Sequence, residues 1–217
     1  MNVNVVLPVR KGSERVPNKN FKEFYNGKNL LEIKLEQIIE IGLFDKIYVD
    51  SDSEIAEEIA LNYGVNFVER DPYFASSKVS NSEYWQNLGD RYEGLIFMIN
   101  VTNPLVYSKS IFNFYNNFKL GNFTSGLSVT LVKEYLFHNN KPLNFSLDEV
   151  CVTQKLPDFY SPNFALNITS TEYLSKNRSF FSNNCYHHTL NKIEGLDIDD
   201  NSDFILAQNL YAAYRSE

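Results

Sequence analysis

Residues 8–20 read PVRKGSERVPNKN and follow the short apolar run Val3–Leu7. The run predicts a buried strand, and the helical spacing of Leu31, Leu35 and Ile38 predicts a helix after it. Residues 8–20 therefore form a basic loop between a first strand and a first helix. A loop of this kind can hold phosphate in α/β proteins, because backbone N–H groups and cationic side chains converge there on an anion.

A basic loop is more often simply solvated, but two features favour an anion site. Gly12 and Pro17 set special backbone geometry around the charges. In addition, seven basic and only three acidic residues lie within residues 1–34 of a chain whose formal net charge is −7. Positive potential concentrated on an acidic protein indicates a small, highly charged anionic ligand rather than a nucleic acid.

The composition predicts one domain over residues 1–217 in a reducing compartment. The chain has 217 residues, 43% hydrophobic and 15% aromatic, which is enough for one well-filled core. Its acidity argues against nucleic-acid or membrane-surface partners. We find no signal-peptide pattern and no apolar stretch near the roughly 20 residues that span a bilayer. Cys151 and Cys185 are too few for a disulfide framework, so we expect a cytoplasmic protein.

Strands and helices alternate through the first third of the chain. Residues 46–50 and 65–68 have strand patterns, and residues 54–63 between them have a helical pattern. This βαβαβ order predicts an α/β fold of three αβα layers around a mostly parallel central sheet. The other predicted elements are helices over 30–43, 81–91, 108–120 and 204–214 and strands over 95–99, 126–132 and 164–169.

Residues 133–162 break this alternation. Short apolar groups and turn residues alternate there without a clear period. We expect a hairpin-rich excursion from the main fold, which either covers the site or forms a subunit contact.

Polar residues follow the buried strand predicted over 95–99. Asn100 and Thr102 stand at its carboxyl end. In open α/β sheets, ligands bind in the crevice outside the carboxyl ends of the strands, so these two residues and the loop over 8–20 are predicted to face one pocket. The alternative is that both residues only form a turn.

Two carboxylates precede the predicted last helix. Asp197 and Asp199 are two residues apart, so in an extended segment both side chains project from the same face. Two oxygen ligands on one face suit Mg²⁺ when a phosphate completes its shell. The alternative is that Asp200 and Asp203 cap the helix and that the other two carboxylates are solvated.

These motifs together resemble the acylneuraminate cytidylyltransferases, the family of CMP-sialic acid synthetases. The family pattern Arg-x-Gly-Ser, a spacer and Pro-x-Lys-Asn is similar to Arg10–Ser13 and Pro17–Asn20. Its second-strand signature resembles Val49–Ala56, and its Thr-Ser-Pro-Leu strand tip resembles Thr102–Leu105. The closing Asp-x-Asp is similar to Asp197–Asp199, so the resemblance is collinear over essentially the whole chain.

The resemblance implies a Rossmann-like nucleotide-diphospho-sugar transferase fold, a homodimer, and transfer of CMP from CTP to an acidic nine-carbon sugar for surface polysaccharide, with Mg²⁺ as cofactor. Pyrophosphate would leave as the anomeric hydroxyl of the sugar attacks the α-phosphate. The implied nucleotide-binding residues are Arg10, Gly12, Ser13, Lys19, Asn20 and Ser80, the substrate-binding residues are Asn100 and Thr102, and the metal ligands are Asp197 and Asp199; Arg10, Lys19 and Asp199 would be the catalytic residues.

The positions on the sugar side depart from the family pattern. Asn100 stands in place of a Gln, Val106 in place of a frequent Arg, and Asn163-Phe164-Ala165 in place of Asn-Gly-Ala. The acceptor therefore stays open between sialic acid-like sugars and others such as Kdo or a capsule precursor. A nucleotide-binding protein without catalytic activity is the alternative from a different functional class.

Overall fold

The structure, a computed structural model, describes residues 2–13 and 15–215. Glu14 of the basic loop lies outside the described residues, as do Met1, Ser216 and Glu217 at the ends of the predicted domain. Within the described ranges, no helix combines the length and the apolar character needed to cross a bilayer.

A seven-stranded sheet forms the centre of the fold. The strands are β1 Val3–Val9, β2 Ile47–Ser51, β3 Asn66–Glu69, β4 Leu95–Ile99, β5 Ser125–Val132, β8 Phe159–Ser170 and β9 Cys185–Leu190, and β6 Phe137–His138 pairs with β7 Lys141–Pro142 in a separate hairpin. In the sheet they lie in the order β3-β2-β1-β4-β8-β5-β9, and β8 alone runs antiparallel to its neighbours β4 and β5. The predicted, mostly parallel α/β sheet is therefore confirmed.

Helices connect the strands and begin and end where the sequence supplies caps. Helix α1 begins after Asn29, whose side chain accepts a hydrogen bond from the Glu32 N–H while the Glu32 carboxylate accepts one from Asn29. It ends at Gly42, which adopts φ +64°, a conformation that favours glycine. The helices are α1 Leu30–Ile41, α2 Glu54–Asn62, α3 Pro72–Ala75, α4 Asn81–Arg91, α5 Ser108–Leu120, α6 Thr171–Asn177 and α7 Asn201–Arg215, with a 3₁₀ turn over Thr153–Lys155.

Helices cover both faces of the sheet, which completes the predicted three layers. Alternate residues of a strand point to opposite faces, so neighbours in β4 enter different cores. Phe97 packs in the larger core with α1, α5 and α7, whereas Met98 packs with Trp85 of α4 and Leu174 of α6. All five residues of β4 are buried, as a central strand between two helical layers requires.

The structure corrects the bounds of the irregular segment and of the last helix, among others. The predicted excursion over 133–162 ends earlier, because β8 begins at Phe159 and pairs with Val132 at the end of β5. The irregular segment is therefore 133–158, and it contains one short hairpin and one 3₁₀ turn. The last helix begins at Asn201 rather than Phe204, because Asp200 and Asp203 cap its first turn.

Candidate functional site

A cleft of about 490 Å³ opens at the carboxyl ends of β1 and β4, which are neighbours in the sheet. Residues from six separate segments of the chain line it. They are Pro8, Arg10, Ser13, Arg15, Lys19, Asn20, Arg70, Asn81, Tyr84, Trp85, Met98, Asn100, Val101, Thr102, Phe164, Asp197 and Asp199. The cleft thus brings together eight of the ten site residues predicted from the sequence; Gly12 and Ser80 do not line it.

The basic loop reaches the cleft because it is anchored on both sides. Val16 is buried in the core, and its carbonyl accepts a hydrogen bond from the Lys19 N–H at 3.1 Å. The Asn20 amide donates to the Arg10 carbonyl at 3.2 Å, which joins the two ends of the loop. Between these anchors Arg10, Arg15 and Lys19 present three cations to one side of the cleft.

The segment that carries Asp197 and Asp199 forms the opposite side. The Ile198 N–H donates to the Thr102 carbonyl at 2.9 Å, so this segment lies against the tip of β4. The Lys19 ammonium donates to the Ile198 carbonyl, and Arg15 Nη2 lies 2.6 Å from Asp199 Oδ1. Arg15 of the basic loop therefore pairs directly with one of the two carboxylates, and Lys19 contacts the backbone between them.

A glycine allows this segment to approach the sheet. A Cβ on Gly195 would lie 2.5 Å from Thr130 Oγ1 and 3.0 Å from Asn163 Nδ2. Both distances are shorter than ordinary contacts, so a larger residue would require Thr130, Asn163 or the segment itself to shift. Gly195 thereby allows close packing of the segment that carries Asp197.

The surroundings of the cleft shift the pKa values of two of its charged groups, Asp197 and Lys19. The side chain of Asp197 opens into the cleft, but its removal from bulk water raises its pKa; the nearby charge of Asp199 acts in the same direction, and a hydrogen bond with Thr102 partly opposes both. Desolvation lowers the pKa of Lys19, while the charges of Asp197 and Asp199 oppose that shift. Charged groups that are partly desolvated in this way interact strongly with a charged ligand.

The two carboxylates are a suitable donor set for Mg²⁺. Asp197 and Asp199 are two residues apart in the chain and line the same cleft. Mg²⁺ is commonly bound by one or two carboxylates, with phosphates and water completing its octahedral shell. Among the described residues no group of three or more His, Cys, Asp or Glu side chains could hold a metal ion. The pair therefore fits an ion shared with a phosphate ligand rather than one held by protein alone.

Asp200 and Asp203 cap the last helix. Asp203 Oδ2 accepts hydrogen bonds from the N–H groups of Asp199 and Asp200, each at 3.0 Å. Asp200 Oδ1 accepts from the N–H groups of Ser202 and Asp203. The cap proposed for these two residues is thus present, and it also fixes the backbone beside Asp199.

Ser80 caps helix α4. Its hydroxyl accepts a hydrogen bond from the Glu83 N–H at 3.2 Å and donates to the Glu83 carboxylate at 2.6 Å. The next residue, Asn81, is the one that lines the cleft. A contact of Ser80 with the nucleotide base stays a prediction.

A buried charge network that the sequence did not indicate forms one wall. Asp50, fully buried at the end of β2, accepts hydrogen bonds from Arg70 Nε at 2.5 Å, from the Tyr84 hydroxyl at 3.0 Å and from Arg91. Arg70 Nη2 also donates to the Tyr84 hydroxyl at 3.0 Å. Arg70 and Tyr84 both line the cleft, so Asp50 holds a cation at its surface. The available signal was Arg70, which directly follows β3, a strand separated from β1 only by β2.

A buried lysine supports the β4 tip from behind. Lys34 of α1 is fully buried, and its ammonium donates to the Asn103 carbonyl at 2.8 Å. The Asn103 amide donates in turn to the Leu196 carbonyl at 3.1 Å. Burial lowers the pKa of Lys34 to about 7, although the charge of Glu194 opposes the shift. Lys34 therefore belongs to the scaffold of the cleft, not to its cationic surface.

Comparison with known proteins identifies the family. The cytidylyltransferase family model matches residues 4–184. The chain belongs to this family. An N-acylneuraminate cytidylyltransferase of Streptococcus agalactiae serotype V is 30% identical over 212 residues, which are 92% of this chain and 51% of the relative. That of Escherichia coli is 27% identical over 93% of this chain and 50% of the relative.

The chain spans about half the length of these curated relatives. A pseudaminic acid cytidylyltransferase of Campylobacter jejuni is 37% identical over 84 residues, which are 38% of this chain and 35% of the relative. Members that act on different acidic sugars are thus similar to this chain.

Solved structures have the same fold. A CMP:2-keto-3-deoxy-manno-octonic acid synthetase complexed with CTP matches with a TM-score of 0.74 at 11% identity, covering 99% of this chain and all of that one. A 4-diphosphocytidyl-2C-methyl-D-erythritol synthase of Anaerococcus prevotii matches with a TM-score of 0.69 at 11% identity, covering 97% and 96%. The Rossmann-like nucleotidyltransferase fold predicted from the resemblance is therefore confirmed.

Proposed function

We propose that this cytidylyltransferase transfers CMP from CTP to an acidic, sialic acid-like nine-carbon sugar and releases pyrophosphate. The observation that carries the proposal is the meeting of the basic loop with Asp197 and Asp199 in one cleft. The N-acylneuraminate and pseudaminic acid cytidylyltransferases among its relatives support the class of acceptor.

The side of the cleft that carries Arg10, Arg15 and Lys19, here called the cationic wall, would bind the triphosphate. Arg10 and Lys19 would contact the phosphates, and Gly12 and Ser13 would let the backbone approach them; Asn20 would help to place the nucleotide. Transfer at phosphorus depends on in-line positioning and on neutralising charge, so fixed cations in a partly desolvated cleft supply most of what the reaction needs. The anchors at Val16 and Asn20 hold these cations in place before a ligand binds.

The segment that carries Asp197 and Asp199, here called the carboxylate wall, would bind the metal. We propose that Asp197 and Asp199 hold Mg²⁺, which, when bound, neutralises charge on the phosphates. Binding of the nucleotide and the metal would break the ion pair that Arg15 forms with Asp199 in this structure. A phosphate that pairs with Arg15 would free the Asp199 carboxylate to bind Mg²⁺. Nucleotide and metal would therefore bind together.

The acceptor would enter beside Asn100 and Thr102. Its anomeric hydroxyl loses its proton to solvent as the oxygen attacks the α-phosphorus, and the bond from that phosphorus to the bridging oxygen breaks as pyrophosphate leaves. Lys19 and Arg10 stabilise the charge that accumulates on the leaving group. Asn100 lines the cleft, and its side-chain amide nitrogen donates to the Phe164 carbonyl at 2.9 Å.

We propose that the chain works as a homodimer through the segment 133–158. Large apolar side chains there are exposed, Leu147 at 70% and Phe137 at 60%. Exposed apolar surface concentrated in one segment is typical of an interaction site. Sedimentation should give a dimer for the wild type, and a monomer for a Phe137→Ser/Leu147→Ser variant.

We place the reaction in the cytoplasm. The two cysteines, Cys151 and Cys185, both lie among the described residues and are free thiols. Free thiols are typical of a reducing compartment.

The test is ³¹P NMR of the purified protein with CTP, Mg²⁺ and a panel of acidic sugars that includes N-acetylneuraminate, pseudaminate and Kdo. We expect pyrophosphate and a CMP-sugar to appear together with at least one nine-carbon acid. UTP in place of CTP is the control for the nucleotide. CTP binding without turnover of any acceptor would indicate the catalytically silent alternative.

A further inference from the structure

Strand β8 bulges beside the cleft. Its pairing with β5 passes from Leu127 opposite Asn167 to Val129 opposite Pro162, so four residues of β8, 163–166, face Ser128 alone. Ser128 Oγ donates to Asn163 at 2.5 Å and accepts from the Leu166 N–H at 2.9 Å. Bulges next to active sites commonly turn a side chain in a new direction.

The residue turned by this bulge is Phe164. Its φ is +55°, in the left-handed region that a bulky side chain rarely adopts. Glycine enters this region freely, whereas a residue with a Cβ is disfavoured there. A strained residue persists where its surroundings hold it, and such residues concentrate at ligand sites. The unfavourable backbone conformation of Phe164 therefore indicates that its ring has a role in ligand binding.

The ring of Phe164 forms an aromatic wall of the cleft. Its centroid lies 6.3 Å from the ring of Trp85 and 5.9 Å from that of Phe181, the second contact being edge to face. Phe164, Trp85 and Met98 all line the cleft, and none of the three carries a charge. This part of the cleft is thus apolar, in contrast to the wall formed by Arg10, Lys19 and the carboxylates.

The backbone of Phe164 places this wall next to the predicted acceptor contact. Its carbonyl accepts hydrogen bonds from the side-chain amides of Asn100 at 2.9 Å and of Asn167 at 2.7 Å. Replacing the ring leaves both bonds possible, because they involve only the main chain. Ring and carbonyl can therefore be separated by mutation.

We propose that Phe164 is a specificity-determining residue, whose ring, with Trp85, selects an acceptor that presents an apolar group to this wall. An acyl methyl or a deoxy carbon would pack against the rings. A hydroxyl at the same place would lose water without gaining a hydrogen bond, which is unfavourable. This role rests on the proposed CMP transfer and narrows its acceptor to a sugar acid with such a group.

The test measures kcat/KM for matched pairs of acidic sugars, in which one member has an acetamido group or a hydrogen where the other has a hydroxyl. The variants are Phe164→Gly, which removes ring and strain together, and Phe164→Asn, which tolerates the left-handed backbone and introduces a polar group. Arg178→Gly is the matched control, because Arg178 also adopts a left-handed φ, +57°, but ends helix α6 outside the cleft.

We expect the wild type to prefer the less polar member of at least one pair. Both Phe164 variants should reduce that preference roughly tenfold, the scale of one apolar contact in a pocket, and leave the KM for CTP unchanged. Arg178→Gly should keep the preference of the wild type. Turnover with the same ratio in the wild type and in a folded Phe164 variant overturns the role of Phe164 alone. Absence of turnover with every acceptor overturns the CMP transfer itself.

Discussion

Arg15 and Asp199 are separated by 184 positions in the sequence, yet their side chains meet at 2.6 Å. The contact joins the loop that follows the first strand to the segment that precedes the last helix. It links the cationic wall of the cleft to the carboxylate wall. Both side chains are more than half exposed, so a ligand can separate them at little cost.

Asp199→Asn should remove activity and leave stability nearly unchanged. The exposed ion pair with Arg15 contributes at most about 1 kcal/mol to the free energy of unfolding. Loss of a metal-binding carboxylate should lower kcat roughly 100-fold or more. Lys192→Gln, which removes the exposed ion pair with Glu134 outside the cleft, is the control and should change neither quantity. A stability loss of several kcal/mol in Asp199→Asn would contradict this assignment.

Asp50→Asn should be among the most destabilising changes in the chain. It leaves the buried guanidinium of Arg70 and the partly buried one of Arg91 without their carboxylate, which typically costs about 3–5 kcal/mol. Asp52→Asn is the matched control, because its carboxylate accepts one exposed hydrogen bond, from the Lys11 N–H at 2.7 Å. Urea unfolding of both variants checks the difference. Equal losses would show that the network does not stabilise the fold.

Lys34 should make stability depend on pH. Its pKa is lowered from 10.5 in the unfolded chain to about 7 in the folded protein. Between these values the unfolded state binds the proton and the folded state does not, so the free energy of unfolding rises with pH. Below about pH 7 both states are protonated, and the contribution is constant. The stability of the wild type relative to Lys34→Met should therefore increase from pH 7 to pH 9, and a constant difference would contradict the lowered pKa.

Gly12→Ala separates folding from nucleotide binding. Among the described residues, and apart from the chain neighbours of Gly12, no atom lies within 4 Å of the position that a Cβ on Gly12 would occupy, so the free protein should keep its stability. If phosphates approach the backbone there, the added methyl group should weaken CTP binding in calorimetry by roughly tenfold or more. Unchanged affinity would place the triphosphate elsewhere on the loop.

Much of the fold was predictable because it depends on local patterns. Strand β4 and helices α4 and α5 have the predicted bounds, since an unbroken apolar run and clear helical periodicity mark them. The basic loop and the polar tip of β4 were also expected to face one pocket, because both lie at the carboxyl ends of strands. Residue types and sheet topology suffice for that inference.

Other features depend on tertiary partners that a single sequence does not show. Lys34 was counted among the surface cations of residues 1–34, but α1 packs it under the Asn103 carbonyl. Asp50 and Arg70 pair only because β2 and β3 are neighbours in the sheet. The left-handed backbone of Phe164 depends on a bulge held by Ser128 of another strand.

The most direct test of the central claim is the rate of pyrophosphate release from CTP, with Mg²⁺ and an accepted nine-carbon acid, in the wild type, Lys19→Gln and Lys192→Gln. Lys19 stands between the two walls and donates to Ile198, whereas Lys192 is an exposed surface lysine. We predict acceptor-dependent release in the wild type, a loss of roughly 100-fold in Lys19→Gln and no change in Lys192→Gln. A Lys19→Gln variant as active as Lys192→Gln would show that this cleft is not where CMP is transferred.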